Sequence, residues 1–422
     1  MKNIQKFILL PHIVLILSIL LIIPAQNTTA ANFQEFIEYK GKVVESLNGN
    51  PIPAAFLSVN GTNISTVTNN DGEFSLKVPV NISSATVTIS NLGFQNKTHP
   101  LSFFNTENTR IELDETLEEL SEVNIFTATD AKALVQNMFS KAGDNYLNDP
   151  VIMNSFYREA IKKGRRNVSL TEAVLKIYKR PYTSSGRDEI SITKARKSVD
   201  YERLDTMALK LRGGPFNTLY SDIIKYPQYL FNVDQLEEYT FSFGSPARIN
   251  NKYLYVVNFE MIDKRLPWLF GELYIDAQTN ALVKANYHLN VDNRSVAGNM
   301  FVRKKPGGVK VYPIRVEYQV DYRESGGKWY YGYGSAELEF VVNWKRKLFN
   351  SRYTVNSEMA VTNWQTNPGD RVQRDKTFIS PAVIMADDVS GFSDEAFWGA
   401  NNIIEPEKSI QNAIEKIQRS IQ

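Results

Sequence analysis

The sequence has no cysteine and only three histidines in 422 residues. Missing thiols exclude disulfides, thiolate metal sites, a cysteine nucleophile and a lipid-modified N-terminal cysteine. His12 falls in an apolar N-terminal stretch, which leaves His99 and His288 for imidazole chemistry. Zinc needs three or four His, Cys or carboxylate ligands, and two distant histidines do not supply them. No Walker loop, GxGxxG, HExxH or GxSxG is present. Neither a metal nor another cofactor is therefore expected. Nor is there an excess of one charge, with 48 Lys and Arg against 46 Asp and Glu. A nucleic-acid binder would want one strongly basic face.

What is present begins with a targeting segment. Lys2 and Lys6 precede an apolar run from Phe7 to Ile23, and Thr28, Thr29, Ala30 and Ala31 follow. This order reads as a signal peptide over 1–30, cleaved after Ala30. The competing reading is an uncleaved anchor, because the run approaches the roughly 20 apolar residues that span a bilayer. No other stretch is long and apolar enough for a membrane helix. The expectation is an exported protein of the periplasm or outer membrane, or of the cell surface.

Charge is unevenly distributed. Residues 31–125 hold 5 basic and 12 acidic side chains, while 126–422 hold 41 and 34. The split marks two separately composed modules and predicts electrostatic docking between them.

The first module, 34–116, is a series of short runs with period two, separated by Gly, Pro and Asn clusters. Asn48-Gly49-Asn50-Pro51 and Asn69-Asn70-Asp71-Gly72 are turn signals, the glycines supplying positive φ. Six or seven strands at this spacing predict a β-sandwich. Asp71 with Asn69 and Asn70 reads as turn capping, since a calcium loop would need more carboxylates. The segments Gly41-Lys-Val43, Gly49-Asn-Pro51-Ile-Pro-Ala-Ala55, Val59-Asn-Gly61-Thr62 and Thr68-Asn69-Asn-Asp71-Gly72-Glu-Phe74 resemble the carboxypeptidase-regulatory-like family. The resemblance implies a transthyretin/Ig-like β-sandwich of a kind abundant in exported Bacteroidetes proteins. It implies an accessory or docking role, because such domains carry no catalytic residues.

Residues 117–145 read as a linker and an amphipathic helix. Asp130 is the predicted N-cap, and Ala131, Leu134, Val135, Met138 and Phe139 recur at helical spacing over 130–142. From 150 to 365 the alternation predicts a large, curved antiparallel β-sheet with a few helices. Tyr312–Tyr322 and Ala281–Val291 each place apolar residues on one face only. The run from Trp329 to Lys345 would span about 55 Å, so Gly332 and Gly334 are expected to mark a bend or bulge. With Tyr330, Leu338, Phe340, Val342 and Trp344 inward, Trp329, Tyr331 and Tyr333 would lie on the other face. Short helices or a flap over 200–235 would then cover an apolar cavity. Tyr318, Tyr330, Phe340 and Trp344 are the candidate ligand-binding side chains. Gly271-Glu-Leu-Tyr-Ile275-Asp276 with Leu282-Val-Lys284 resembles a strand pair of periplasmic lipoprotein-carrier proteins. Phe156-Tyr-Arg158-Glu159, Glu172–Tyr178 and Phe397-Trp398 resemble outer-membrane-associated Bacteroidetes proteins that bear the same sandwich.

Residues 366–404 lack periodicity and read as an irregular strap. Over 405–422, Ile410, Ile414, Ile417 and Ile421 form one helical stripe, suited to packing on the sheet or to docking a partner. The basic clusters Lys162-Lys163-Gly-Arg165-Arg166, Arg303-Lys304-Lys305 and Lys345-Arg-Lys347 read as solvated loops, or as contacts to lipopolysaccharide phosphates or to the acidic first module. Seven Asn-x-Ser/Thr sequons and Asp205-Thr206-Met207 read as incidental.

No catalytic residue can be named from this inventory. His288 sits on a polar strand face, and adjacent pairs such as Glu118-Glu119 and Asp387-Asp388 point opposite ways in extended chain. The expected function is a non-enzymatic envelope protein binding an apolar or glycolipid ligand or a partner protein. The alternative is a hydrolase whose site is assembled from dispersed residues of the second domain.

Overall fold

The computed structural model describes residues 35–82, 84–116, 130–199, 213–231, 233–249, 252–301, 308–345, 349–367, 369, 374–388, 395–408, 410–412 and 414–415. The signal segment, Glu118-Glu119, Asp205-Thr206-Met207, Arg303-Lys304-Lys305, Arg346-Lys347, Ile417 and Ile421 lie outside them.

Seven strands form the first part: β1 (Phe36–Glu45), β2 (Phe56–Val59), β3 (Ser65–Val67), β4 (Glu73–Pro79), β5 (Thr86–Ser90), β6 (Lys97–Pro100) and β7 (Thr109–Leu113). They make two sheets, ordered β4-β1-β7 and β3-β2-β5-β6. Between them pack Val43, Leu57, Phe74, Leu76, Val87, Ile89 and Ile111, all nearly inaccessible to solvent. Alternation puts these side chains on the inner faces, as sandwich packing requires. Asn69 closes the β3–β4 turn, its Oδ1 accepting from Asp71 N at 2.9 Å and Glu73 N at 2.8 Å. Asn69, Asn70 and Asp71 are thus occupied locally and at the C-terminal segment. His99 stacks on Phe103 at 4.0 Å, and burial holds its imidazole below the usual range.

Helix α1 (Ala131–Ser140) starts where Asp130 accepts from Lys132 N and Ala133 N, and it buries Ala131, Leu134, Val135 and Met138. A short helix α2 (Ala142–Asn145) follows. Then come β8 (Val151–Lys163), β9 (Arg166–Lys179), β10 (Glu189–Val199), α3 (Pro215–Leu219), β11 (Tyr239–Phe243), β12 (Ala247–Ile249), β13 (Lys252–Met261), β14 (Leu269–Asp276), β15 (Leu282–Leu289), α4 (Arg294–Phe301), β16 (Val309–Ser325), β17 (Lys328–Trp344), β18 (Ser351–Thr366), β19 (Phe378–Ile379) and α5 (Met385–Asp388). They build one 12-stranded antiparallel sheet, ordered β11-β13-β14-β15-β16-β17-β18-β8-β9-β10-β19, with β12 beside β13. Its hairpins obey local turn chemistry. Gly326 and Gly327, at φ +58° and +78°, make the two-residue turn between β16 and β17. Asp276 Oδ1 accepts from Gln278 N and Thr279 N in the β14–β15 turn.

One face of this sheet, the helical face, carries the main core. Tyr157, Leu175, Ile177, Val257, Leu273, Ala285, Val320 and Tyr331 meet α1 and the segment 213–238, which contributes Phe216, Leu219, Ile223 and Phe231. The described part of this cover packs Phe216, Leu219, Ile223 and Phe231 on the face where the sequence places an apolar cavity. Buried polar groups tie the cover down. Asp222 accepts from Lys179 Nζ at 2.6 Å, Tyr182 OH at 3.0 Å and Tyr322 OH at 2.9 Å. Lys179 also reaches Asp188 at 2.8 Å. Burial works to lower the Lys179 ammonium, but Asp188 and Asp222 outweigh it and hold it above the ordinary value.

The expected irregularity in β17 falls at Gly332, and it inverts the parity beyond it. Register runs Asp321 to Tyr333 and then Tyr322 to Tyr331, leaving Gly332 unpaired. Trp329, Tyr330 and Tyr331 therefore all join the main core, with Tyr331 opposite Tyr322 and Tyr330 opposite Arg323. This corrects the even-residue reading of that strand, which holds only from Gly334 onward.

The other face, the sandwich face, is covered at one side by the sandwich, the strap and the C-terminal segment. Phe56 and Val67 pack with Phe156, Val174, Tyr333, Ala360, Trp398 and Ile404. Ser65 Oγ donates to Val361 O at 3.2 Å, Thr66 Oγ1 to Ile403 O at 3.1 Å and Asn69 Nδ2 to Glu405 O at 3.1 Å. The strap thus carries β19 and α5, and its end is clamped between sandwich and sheet. Ile410 and Ile414 sit on Ala160 and Leu170, as a helix packed on the sheet would. Residues 36–422 form one compact unit. Docking does not follow the expected charge pattern. Among the described residues the ion pair across this boundary is Lys40–Glu405 at 3.9 Å, with the cation on the acidic module.

Candidate functional site

Alternation places one row of polar side chains of β13 to β18 and β8 to β10 on the sandwich face; register decides which become neighbours. Asn258 lies opposite Glu272, Glu272 opposite Asn286, Asn286 opposite Gln319, and Gln319 opposite Ser335. The same row continues through Glu358, Arg158, Glu172 and Arg196. It crosses nine strands without an apolar residue.

Its two halves differ in fate. The second half is buried beneath the strap as an ion network. Arg158 pairs with Glu172 at 2.8 Å and with Glu358 at 3.1 Å, and Arg196 pairs with Glu172 at 2.7 Å. Arg158 Nη2 also donates to Ile404 O at 2.7 Å. Burial pushes the Glu172 carboxyl up, yet Arg158 and Arg196 bring it below the ordinary value. This half is structural.

The first half is open. Asn258, Glu272, Asn286, Gln319 and Ser335 are half-buried and form the floor of a groove of about 830 Å³. A hollow of about 650 Å³ adjoins it at Asn258 and Glu272, reaching Leu92, Gly93 and Thr116 of the sandwich. Another of about 320 Å³ adjoins it at Asn70, Gln319 and Ser335, walled by Pro51, Pro53 and Asn91. Together they are one cleft with a floor on the large sheet and a wall of sandwich turns. Gly93 N donating to Arg248 O at 3.3 Å joins wall to floor at one end.

Beside this row runs Phe270, His288, Glu317 and Glu337. His288 Nδ1 stands 3.7 Å from Glu317, their side chains 42% and 37% exposed. Arg315 pairs with both Glu317 and Glu337. Tyr274 OH donates to Glu272 at 2.6 Å, and burial then Glu272 push its phenol upward. Amides offer both donors and acceptors and carboxylates accept, so the floor suits neutral, hydroxyl-rich matter.

Of the candidate residues read from the sequence, Tyr318 lies along this cleft, and Tyr330, Phe340 and Trp344 lie outside its lining. Phe340 is 2% exposed and packs edge-to-face on Phe301 at 5.6 Å. Tyr318 stacks on Tyr287 at 5.1 Å beneath the cleft floor, and burial raises its phenol to about 12. Trp344 lies half-buried against a second apolar cluster that holds Leu338, Phe340 and Val342. Tyr330 is 1% exposed, beside Trp364 and under the Arg323 guanidinium. Missing from the sequence reading were Asn258, Glu272, Gln319 and the sandwich turns. Their outward position was legible, but their alignment depends on registers between strands distant in sequence.

A family model described as the CarboxypepD_reg-like domain matches residues 39–125. No curated protein matches the chain. Among solved structures the chain is similar to a putative outer membrane lipoprotein-sorting protein domain from Vibrio parahaemolyticus, at 10% identity and TM-score 0.26, over 57% of this chain and 94% of that one. It is similar to a LolA superfamily protein from Nitrosomonas europaea at 11% identity and TM-score 0.23, over 61% and 100% of the two chains. MucB in complex with MucA(peri) matches at 13% identity and TM-score 0.19, over 57% and 100%. The segment 39–125 is a CarboxypepD_reg-like domain, and in this chain it forms the wall of a polar cleft.

Proposed function

We propose that the protein is an exported, non-enzymatic binding protein of the cell envelope whose cleft takes a hydroxyl-rich ligand, the glycan headgroup of a glycolipid. The observation that carries this reading is the open row Asn258–Glu272–Asn286–Gln319–Ser335 along the cleft floor. Neighbouring strands lie about 4.8 Å apart, close to the repeat of a chain of sugar rings laid across them. Each step offers an amide, a carboxylate or, at Ser335, a hydroxyl to a hydroxyl pair. The sandwich acts as the accessory wall, in keeping with a domain that brings no catalytic residues. A wholly apolar ligand suits this cleft poorly, because the central row of its floor is polar, with Phe270 at its side.

The test is calorimetric titration with lipopolysaccharide core oligosaccharides freed of lipid. Asn286→Ala combined with Gln319→Ala should weaken binding about tenfold or more, two hydrogen bonds of about 1 kcal/mol each being lost. Failure of every oligosaccharide to bind the intact protein would reject the reading.

Hydrolysis is a second reading, favoured by the meeting of His288 and Glu317 with Glu272 one row away. Both side chains stand open to water, whereas acid–base sites tune their groups by burial and by excluding solvent. Turnover of a glycan or ester lost in both His288→Ala and Glu317→Gln would reassign the cleft as an active site.

A further inference from the structure

The strand ends of the large sheet converge on a tip, which the sandwich reaches through Asn70 on Glu407 and Glu407 on Lys162. The β8–β9 hairpin meets β18 where Gly164 N donates to Arg352 O at 3.0 Å. The end of β17 meets the start of β16 where Lys345 N donates to Gly308 O at 3.0 Å. The described segments 161–168, 308–315, 341–345 and 349–353 hold eight Lys and Arg and no Asp or Glu. Acids reach some of them from outside: Glu407 lies 3.6 Å from Lys162, and Glu339 lies 3.0 Å from Arg352. Arg165, Arg166, Lys310 and Lys345 are exposed and make no ion pair among the described residues. Apolar side chains stand among these cations. Phe349, just before β18, is 83% exposed. Helix α4 buries Ala297 and Gly298 against β16 but turns Val296 and Met300 outward, at 39% and 55% exposure.

We propose that this tip docks on a bilayer bearing anionic headgroups. A polyanion alone would account for the cations but not for Phe349 and Met300 beside them. A lipid interface uses both, drawing the cations to its headgroups and the apolar groups to its acyl boundary. Isolated exposed hydrophobes need no explanation, but apolar groups beside a predominantly cationic tip, with Arg165, Arg166, Lys310 and Lys345 outside any ion pair among the described residues, are what such an interface selects. The docked orientation would hold the protein at a membrane surface by a region separate from the cleft.

The experiment is co-sedimentation of the full mature chain with phosphatidylcholine vesicles, with and without about 30% phosphatidylglycerol. Retention is expected on the anionic vesicles alone, falling as salt rises from about 50 to about 500 mM. The combined variant Arg165→Glu, Arg166→Glu, Lys310→Glu and Lys345→Glu should lower partitioning at least tenfold. Phe349→Ser should lower it by about tenfold, including at the higher salt where charge is screened. Equal retention on neutral vesicles, or retention untouched by the charge reversal, overturns the proposal. So does tighter binding of a DNA duplex than of vesicles, which would mark a general polyanion site. Unchanged thermal unfolding shows that the variants fold. Unchanged oligosaccharide titration in them separates this surface from the cleft, so either proposal can fail alone.

Discussion

Glu159 shows how much a single position can carry. It lies on the helical face between Thr171 and Ser357, 3% exposed, and accepts from Tyr157 OH at 2.9 Å. Burial raises its carboxyl to about 7 from an ordinary 4.5, with the Tyr157 hydroxyl opposing only in part. Between those two values the folded chain holds a proton that the unfolded chain has released. Stability is therefore greatest below the ordinary carboxylate value, falls as pH rises through the window, and levels off above about 7. Glu159→Gln should remove that slope and raise stability at pH 8 by up to about 3 kcal/mol. Urea unfolding across the window would show it; a variant less stable than the parent at pH 8 would contradict the account. Nothing in the alternation of β8 marks this glutamate as buried, because a polar residue on a strand reads by default as facing water.

At the scale of elements, the cover 213–238 and strand β17 depend on each other. A Cβ on Gly334 would come 3.0 Å from Thr218 O and 2.8 Å from Ser221 Oγ, both on the cover. Gly334→Ala should therefore cost about 1–3 kcal/mol by displacing it, read as a fall in thermal midpoint. The charge knot beneath is worth more. Lys179→Met would leave Asp188 and Asp222 buried without their cation, a loss of about 3–5 kcal/mol. Hydrogen exchange should then quicken over 213–231 well before the β8–β9 pair opens. Strand existence and hairpin turns were legible from period two and from Gly326-Gly327. The inverted parity of Tyr330 and Tyr331 was not, because two glycines offered two places for one bulge. Which glycine bulges depends on the partner strand, where Asp321 and Tyr322 remain regular.

For the whole molecule, the two modules are joined by hydrogen bonds and apolar contact more than by opposite charge. Arg323 is central, its guanidinium 5.2 Å from the Phe56 ring with Nη2 2.6 Å from Ser58 Oγ. Arg323→Ala should lower stability by about 2 kcal/mol through lost stacking and bonding. It should also raise hydrogen exchange in β2 and β3 and weaken any ligand held by the cleft wall. Unchanged exchange in those strands would show that the sandwich is held by its other contacts. The net charges of the modules are properties of whole surfaces, whereas the interface uses local contacts, Thr66 on Ile403 O, Asn69 on Glu405 O and Lys77 on Gly399 O.

Taken alone, the composition excluded thiol chemistry, and the amino-acid order determined the periods and the turns, since each depends on residues a few positions apart. It also carried the identity of the first domain, whose glycines and prolines sit at turns that local sterics dictate. The cleft, the buried ion network and the cationic tip belong to the tertiary structure. Each brings together strands separated by up to about two hundred residues, and pairing register between such strands is set by the summed packing of the entire sheet rather than by any local pattern.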